Sequence, residues 1–237
     1  MIRLLALCVL VMVSSSMACG SRQATEFDLK RGFDPEGVEV EKVSGKFYFN
    51  IFFTVSDDAT LRLRNPDGIE TGVVNVTKED QNHDIAMCGE LETPKGGAYT
   101  LSVEDNHGKQ IATYTRDFSG ASLSIVPSIA PTFAEWVKDD DSYTLNKVNF
   151  TTRNGGELPI WIISITCSID GESIDIPIKG VEYKDDVCFP NNWSLYSLDV
   201  AIDGITPGDK TLKIDVKGTS DSIICTYSSL VTPGGGL

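Results

Sequence analysis

Catalysis by a side-chain nucleophile needs a base beside it, and this chain of 237 residues offers only two histidines. His83 sits in "DQNHD" just before an apolar stretch, and His107 in the polar corner "EDNHG". Neither has the G-x-S-x-G context of a serine hydrolase. The chain also lacks an H-E-x-x-H motif, a P-loop and a dinucleotide fingerprint, so no cofactor is expected. The densest carboxylate run is "KDDDSY", with Asp139, Asp140 and Asp141 in succession. Calcium takes carboxylate oxygens, which makes these three its weak candidates. Adjacent residues of an extended chain point in opposite directions, however, so the run reads better as a solvated loop. Paired carboxylates for glycoside hydrolysis could come from distant loops. A sugar cleft also wants aromatic walls, and the tryptophans are only Trp136, Trp161 and Trp193. Trp161 alternates within an apolar run and is expected in a core. Phe189 and Trp193 flank "CFPNN" and are the candidates for loop recognition of a sugar or protein.

Six cysteines are present. Cys8 lies in the N-terminal apolar run, and Cys19 ends the small-residue stretch "SSSMAC". The other four are Cys88, Cys167, Cys188 and Cys225, with no C-x-x-C spacing for zinc or redox chemistry. A disulfide needs Cα atoms within about 7 Å. The expected strand order puts Cys188 and Cys225 at one end of a sandwich, so these two form the expected bridge. Cys88 and Cys167 are then small buried hydrophobes.

The N-terminus sets the address. Arg3 precedes "LLALCVLVMV", a ten-residue apolar run. As a helix it rises roughly 15 Å, about half a hydrocarbon core, which suits a secretory signal peptide rather than a span. Ala18-Cys19-Gly20 resembles a bacterial lipoprotein signal, in which the cysteine becomes the lipid-modified N-terminus. That resemblance implies a lipidated Cys19 and a membrane tether through it. Ser16 and Ala18 also suit ordinary signal peptidase, so simple secretion is the alternative.

The residues above must be positioned by strands. From Val38 onward apolar and polar residues alternate in short runs, broken by Gly, Pro, Asn and Asp at intervals of about ten residues. That pattern predicts an all-β chain. Residues 1–18 are read as signal peptide, 19–35 as a flexible tether, 36–126 as a first sandwich, 127–231 as a second and 232–237 as a flexible tail. Residues 119–133 form the junction, where Pro127 and Pro131 interrupt strand pairing. "GGAYTLSVEDNHGKQIATYTRDF" resembles the last hairpin of immunoglobulin-like modules in secreted bacterial proteins. Asn154, Gly155, Asp170, Gly171, Pro207, Gly208 and the strand residues 212–216 resemble the CARDB group of adhesion-type modules. These likenesses imply two tandem immunoglobulin-like β-sandwiches after the signal peptide.

The net charge is −14, and both halves are acidic. A nucleic-acid partner is therefore not expected. The chain reads as a secreted, lipid-anchored protein at the cell envelope, a non-catalytic binding or spacer module for a protein or glycan ligand. The alternatives are a small extracytoplasmic carbohydrate-active or metal-dependent hydrolase and an accessory subunit of an envelope complex.

Overall fold

The structure is a computed structural model that describes residues 25–30, 39–43, 45–178, 187–219 and 222–235. Residues 1–18, expected as a signal peptide, and Cys19 lie outside the described residues. In the first half the strands are β1 (Phe27–Leu29), β2 (Glu39–Val43), β3 (Lys46–Val55), β4 (Ala59–Arg64), β5 (Glu70–Val76), β6 (Asn82–Ala86), β7 (Gly97–Asp105) and β8 (Gln110–Phe118). β1 and β2 follow one another along one edge of β3, and β6 lines its other edge. The facing sheet runs β5-β4-β7-β8.

The second half contains β9 (Leu123–Pro127), β10 (Ala134–Asp139), β11 (Ser142–Asn154), β12 (Ile160–Trp161), β13 (Ser164–Ile169), β14 (Glu172–Pro177), β15 (Val187–Cys188), β16 (Trp193–Ile205), β17 (Lys210–Lys217) and β18 (Ile223–Val231). β9 and β10 share one edge of β11, β16 takes the other, and the facing sheet runs β14-β13-β17-β18. The strand order of the first half is thus repeated: a split first strand, a long second, and the same partners thereafter. Both halves are immunoglobulin-like β-sandwiches. The short pair β12–β15 is an addition in the second half alone.

Alternation builds each core. Along β3, Phe47, Phe49, Ile51 and Phe53 point inward against Leu61, Leu63, Tyr99, Leu101 and Val103, all with at most 1% exposure. Phe49 stacks on Phe118 at 5.1 Å and meets Tyr99 edge-on at 5.5 Å. In the second half Val148 and Phe150 face Ile165, Cys167, Leu212 and Ile214. Each such side chain contributes about 1.5–3 kcal/mol on burial. The hairpins are set by one repeated turn. Asn65 Oδ1 accepts the amides of Asp67 and Ile69, and Asp105 Oδ1 accepts those of His107 and Lys109. Each turn closes on a glycine with positive φ, +77° at Gly68 and +75° at Gly108. The two amides hold the Asp105 carboxylate below its ordinary pKa.

Three boundaries differ from the sequence expectation. Residues expected in the tether form β1, because Phe27 and Leu29 alternate around Asp28 and Phe27 stacks on Phe53 at 5.4 Å. The second sandwich begins at Leu123 rather than residue 127. Pro127 joins β9 because it faces Phe150 where the β9 backbone points away from β11, so its missing N–H leaves no ladder bond unmade. Within the expected flexible tail, the Thr232 hydroxyl donates to Asp209 at 2.7 Å, and residues 232–235 form a turn.

Candidate functional site at the junction of the sandwiches

A cluster of specific contacts lies between the halves. The β12–β15 ribbon carries Trp161 and Val187 into the core of the first sandwich, together with Leu158. Trp161 is 1% exposed. Its ring lies 4.9 Å from Phe47, the Lys42 ammonium sits over it at 4.7 Å, and its Nε1–H donates to the Glu92 carbonyl at 3.1 Å. The second sandwich thereby plugs the end of the first. Phe189 completes the plug, edge-on to Phe47 at 6.3 Å.

A polar clamp fixes the linker beside this plug. Asn154, fully buried at the end of β11, uses both ends of its amide. Oδ1 accepts the amides of Ser122 and Gly156, each at 3.0 Å, while Nδ2 donates to the carbonyls of Leu158 at 2.7 Å and Cys188 at 3.0 Å. One side chain thus ties the linker, the loop after β11 and β15 together. The loop passes so close to the linker that a Cβ on Gly156 would stand 2.0 Å from the Gly120 carbonyl oxygen, so only glycine fits. Glu157 closes the clamp, accepting from Arg116 at 2.9 Å and from the Ser119 amide at 2.6 Å. The Ser119 amide first, and Arg116 with it, hold the Glu157 carboxyl below its ordinary pKa.

The sequence-based candidates are scattered around this junction. Phe189 packs into the seam, whereas Trp193 is 51% exposed with the Arg153 guanidinium 5.1 Å from its ring. They do not form one aromatic surface. Asp139, Asp140 and Asp141 occupy the exposed tip of the β10–β11 hairpin, where Asp140 takes a φ of +45°. Among the described residues no group of three or more His, Cys, Asp or Glu is placed to hold a metal ion. His83 is exposed, with Nδ1 3.2 Å from the Asp84 carbonyl oxygen. Asn149, in a glycosylation-type triplet, is fully buried and donates to the Thr132 carbonyl and to Glu135.

Cys88, Cys167, Cys188 and Cys225 are all free thiols, so the expected Cys188–Cys225 bridge is not formed. Each sulfur has its own backbone partner instead: Cys188 Sγ donates to the Asn192 carbonyl at 3.6 Å, and the Ile125 amide faces the sulfur of Cys225. Burial pushes the Cys88 thiol up to about 11 and that of Cys167 to about 12. A thiol reagent at pH 8 is therefore expected to label the partly exposed Cys225 first and to leave Cys88 and Cys167 unmodified until the chain unfolds. A linked Cys188–Cys225 peptide in a non-reducing digest would contradict this arrangement.

A cleft of about 360 Å³ opens beside the seam, lined by Asn65, Cys88, Lys95, Tyr99 and Thr219 among others. Its thiol, that of Cys88, has a depressed tendency to ionise and donates to the Glu92 carbonyl at 3.2 Å rather than to a base. The contacts at the junction hold the two sandwiches in register.

No protein-family model and no curated protein matches this sequence. Among solved structures, it is similar to a segment of two fibronectin type III domains from chicken tenascin, with 11% identity and a TM-score of 0.31 over 82% of this chain and 97% of that one. It is also similar to the BSP domain of a biofilm-associated protein, with 12% identity and a TM-score of 0.26 over 84% of this chain and 30% of that one. A third likeness is to the exo-chitosanase CsxA of Amycolatopsis orientalis, with 12% identity and a TM-score of 0.24 over 83% of this chain and 26% of that one. The chain spans less than a third of the length of the last two. The immunoglobulin-like assignment rests on the strand order and register of the two halves.

Proposed function

We propose that this chain is a secreted, lipid-anchored surface protein whose two sandwiches act as a non-catalytic spacer and binding module. The observation that carries the proposal is the seam: Trp161 buried in the neighbouring sandwich beside a fully bonded Asn154. A linker between independently moving domains needs neither. A stalk that must hold a binding surface at a fixed distance and angle from a membrane needs both. Cys19 supplies the attachment, through the lipoprotein-like Ala18-Cys19-Gly20. Two or more acyl chains there give stable anchoring, since each buried methylene contributes about 0.8 kcal/mol. The second sandwich, with its CARDB-like turns, is the adhesive half in this reading. Its ligand is a protein or glycan outside the cell.

The test is mass spectrometry of the mature N-terminus from the native host, with membrane fractionation beside it. The expected result is a chain beginning at an acylated Cys19 that sediments with membranes. A mature chain with an unmodified Cys19, recovered in the soluble fraction, would remove the anchor.

A further inference from the structure

The two sandwiches share one strand order and differ at one edge. In the first, β5 and β6 come together and close the side of the sandwich. Thr71 Oγ1 donates to the Ala86 carbonyl at 2.8 Å, and a Cβ on Gly72 would stand 2.7 Å from the Ile85 side chain. In the second, the equivalent strands β14 and β16 also approach each other, but a groove of about 580 Å³ opens between the end of the β13–β14 hairpin and residues 200–206. Ile169, Glu172, Ile174, Ala201, Asp203 and Thr206 are among its lining residues.

The long strand β16 borders this groove and pairs with β11 alone among the described residues. Its register shows which backbone groups are left over. Asn154 N–H donates to the Asn192 carbonyl, so Ser194, Tyr196 and Leu198 face β11, and the N–H and C=O groups of Leu195, Ser197 and Asp199 point outward. From Trp193 to Asp199 the pairing is regular. Only afterwards does the strand bulge, with positive φ at Ala201 and Gly204. Over Trp193–Asp199 the strand carries no Pro, no Lys and no bulge, three of the devices that blunt an edge.

We infer that the β16 edge is a docking site for an extended, basic segment of a partner protein, which adds as a further strand. Strand addition draws affinity from main-chain hydrogen bonds and specificity from side chains at alternate positions. Both are present here. Trp193 and Leu195, 51% and 71% exposed, offer apolar contact at one end of the edge. The other end is acidic. Asp170 is neutralised by Lys210 at 2.6 Å, and the 83%-exposed Asp199 stands 3.5 Å from Lys147. Glu172 is exposed, and Asp203 takes only the Thr144 hydroxyl, at 2.8 Å. The complementary segment carries an apolar residue at one end and Lys or Arg about 20 Å away, the rise of six strand residues. A second copy of this chain does not fit, because it would bring the same carboxylates and another charge of −14. This inference deepens the binding-module reading and fails separately from it, since loss of the anchor leaves this edge unchanged.

The test is amide hydrogen exchange of the secreted chain with a blocked nine-residue peptide of alternating Val and Thr bearing two terminal lysines. Its counterpart with two glutamates is the comparison. The lysine peptide is expected to slow exchange at Leu195, Ser197 and Asp199 and to bind at least tenfold more tightly than the glutamate peptide. Ser197→Pro, which removes an outward N–H, is expected to abolish this protection, and Glu172→Lys to weaken binding at least threefold with unfolding unchanged. No protection of these amides by the lysine peptide, equal protection by both peptides, or self-association through β16 in sedimentation would each overturn the inference.

Discussion

Trp161→Ala will destabilise the chain by about 3–5 kcal/mol and uncouple its halves. The magnitude is that of removing a large aromatic from a core that cannot collapse around the gap. The gap would open beneath Phe47, and the Glu92 carbonyl would lose its indole donor. The Lys42 ammonium would lose its ring. Unlike a truncation of a first-sandwich strand residue, this change opens the first core with a side chain that the second half supplies, so it weakens that core and the link between the halves together. Urea unfolding followed by hydrogen exchange in each half should therefore show one coincident transition for the parent chain and two separated transitions for the variant. A variant that unfolds in one coincident step, within about 1 kcal/mol of the parent, would mean the seam transmits nothing.

Asn154→Ala should be nearly as damaging, for a different reason. The side chain is fully buried and satisfies four backbone groups: the amides of Ser122 and Gly156 and the carbonyls of Leu158 and Cys188. Leaving a buried polar group unpaired costs about 1–3 kcal/mol, so the loss is expected to exceed about 3 kcal/mol. Asn154→Asp separates the two ends of the amide. It retains the accepting oxygen but faces the Leu158 and Cys188 carbonyls with a carboxylate. Folding then disfavours the charged form and raises the native pKa above the unfolded value of about 3.9. Stability should be greatest below that pH and fall as the pH rises through the raised native pKa. Thermal unfolding of variant and parent at pH 4 and pH 7 checks the sign, the parent carrying the pH dependence of the other carboxylates; a stability loss relative to the parent that is smaller at pH 7 than at pH 4 would show that the two carbonyls are not the amide's partners.

Much of the fold was legible in alternation. The aromatic, β-branched β3 and the β7–β8 hairpin announce themselves by period two and by turns ending in glycine. β1 was not legible as a strand, because three residues in a polar stretch give too short a pattern and its stability comes from Phe53, far along the chain. The seam was missed because Trp161 was assigned to the nearest core. The signal was there: Ile160, Trp161 and Ile162 are buried in succession, and a strand with no polar alternation is covered on both faces. One face belongs to its own sandwich and the other to the neighbour. In the sequence Asn154 stands out only through its likeness to the CARDB pattern, since a side chain's four partners on three segments leave no trace in local spacing. The expected cysteine bridge rests on strand order, which suggests a common end but does not fix where the sulfurs go: Cys188 turns to Asn192, four residues on, and Cys225 to Ile125, a hundred residues back.

The open β16 edge could not have been read at all. Its meaning comes from comparing two halves of one topology, and the halves share no repeat in sequence. Thr71 and Gly72 seal one edge, and a groove beside the bulged residues Ala201 and Gly204 opens the other.

The central claim is that the two sandwiches form one rigid body. Small-angle X-ray scattering of the secreted chain tests it most directly. The account predicts a profile reproduced by the described residues in their single relative arrangement, unchanged between low and high salt because the seam is apolar at its centre. A profile that can be matched only by an ensemble of orientations about residues 119–122 would contradict it.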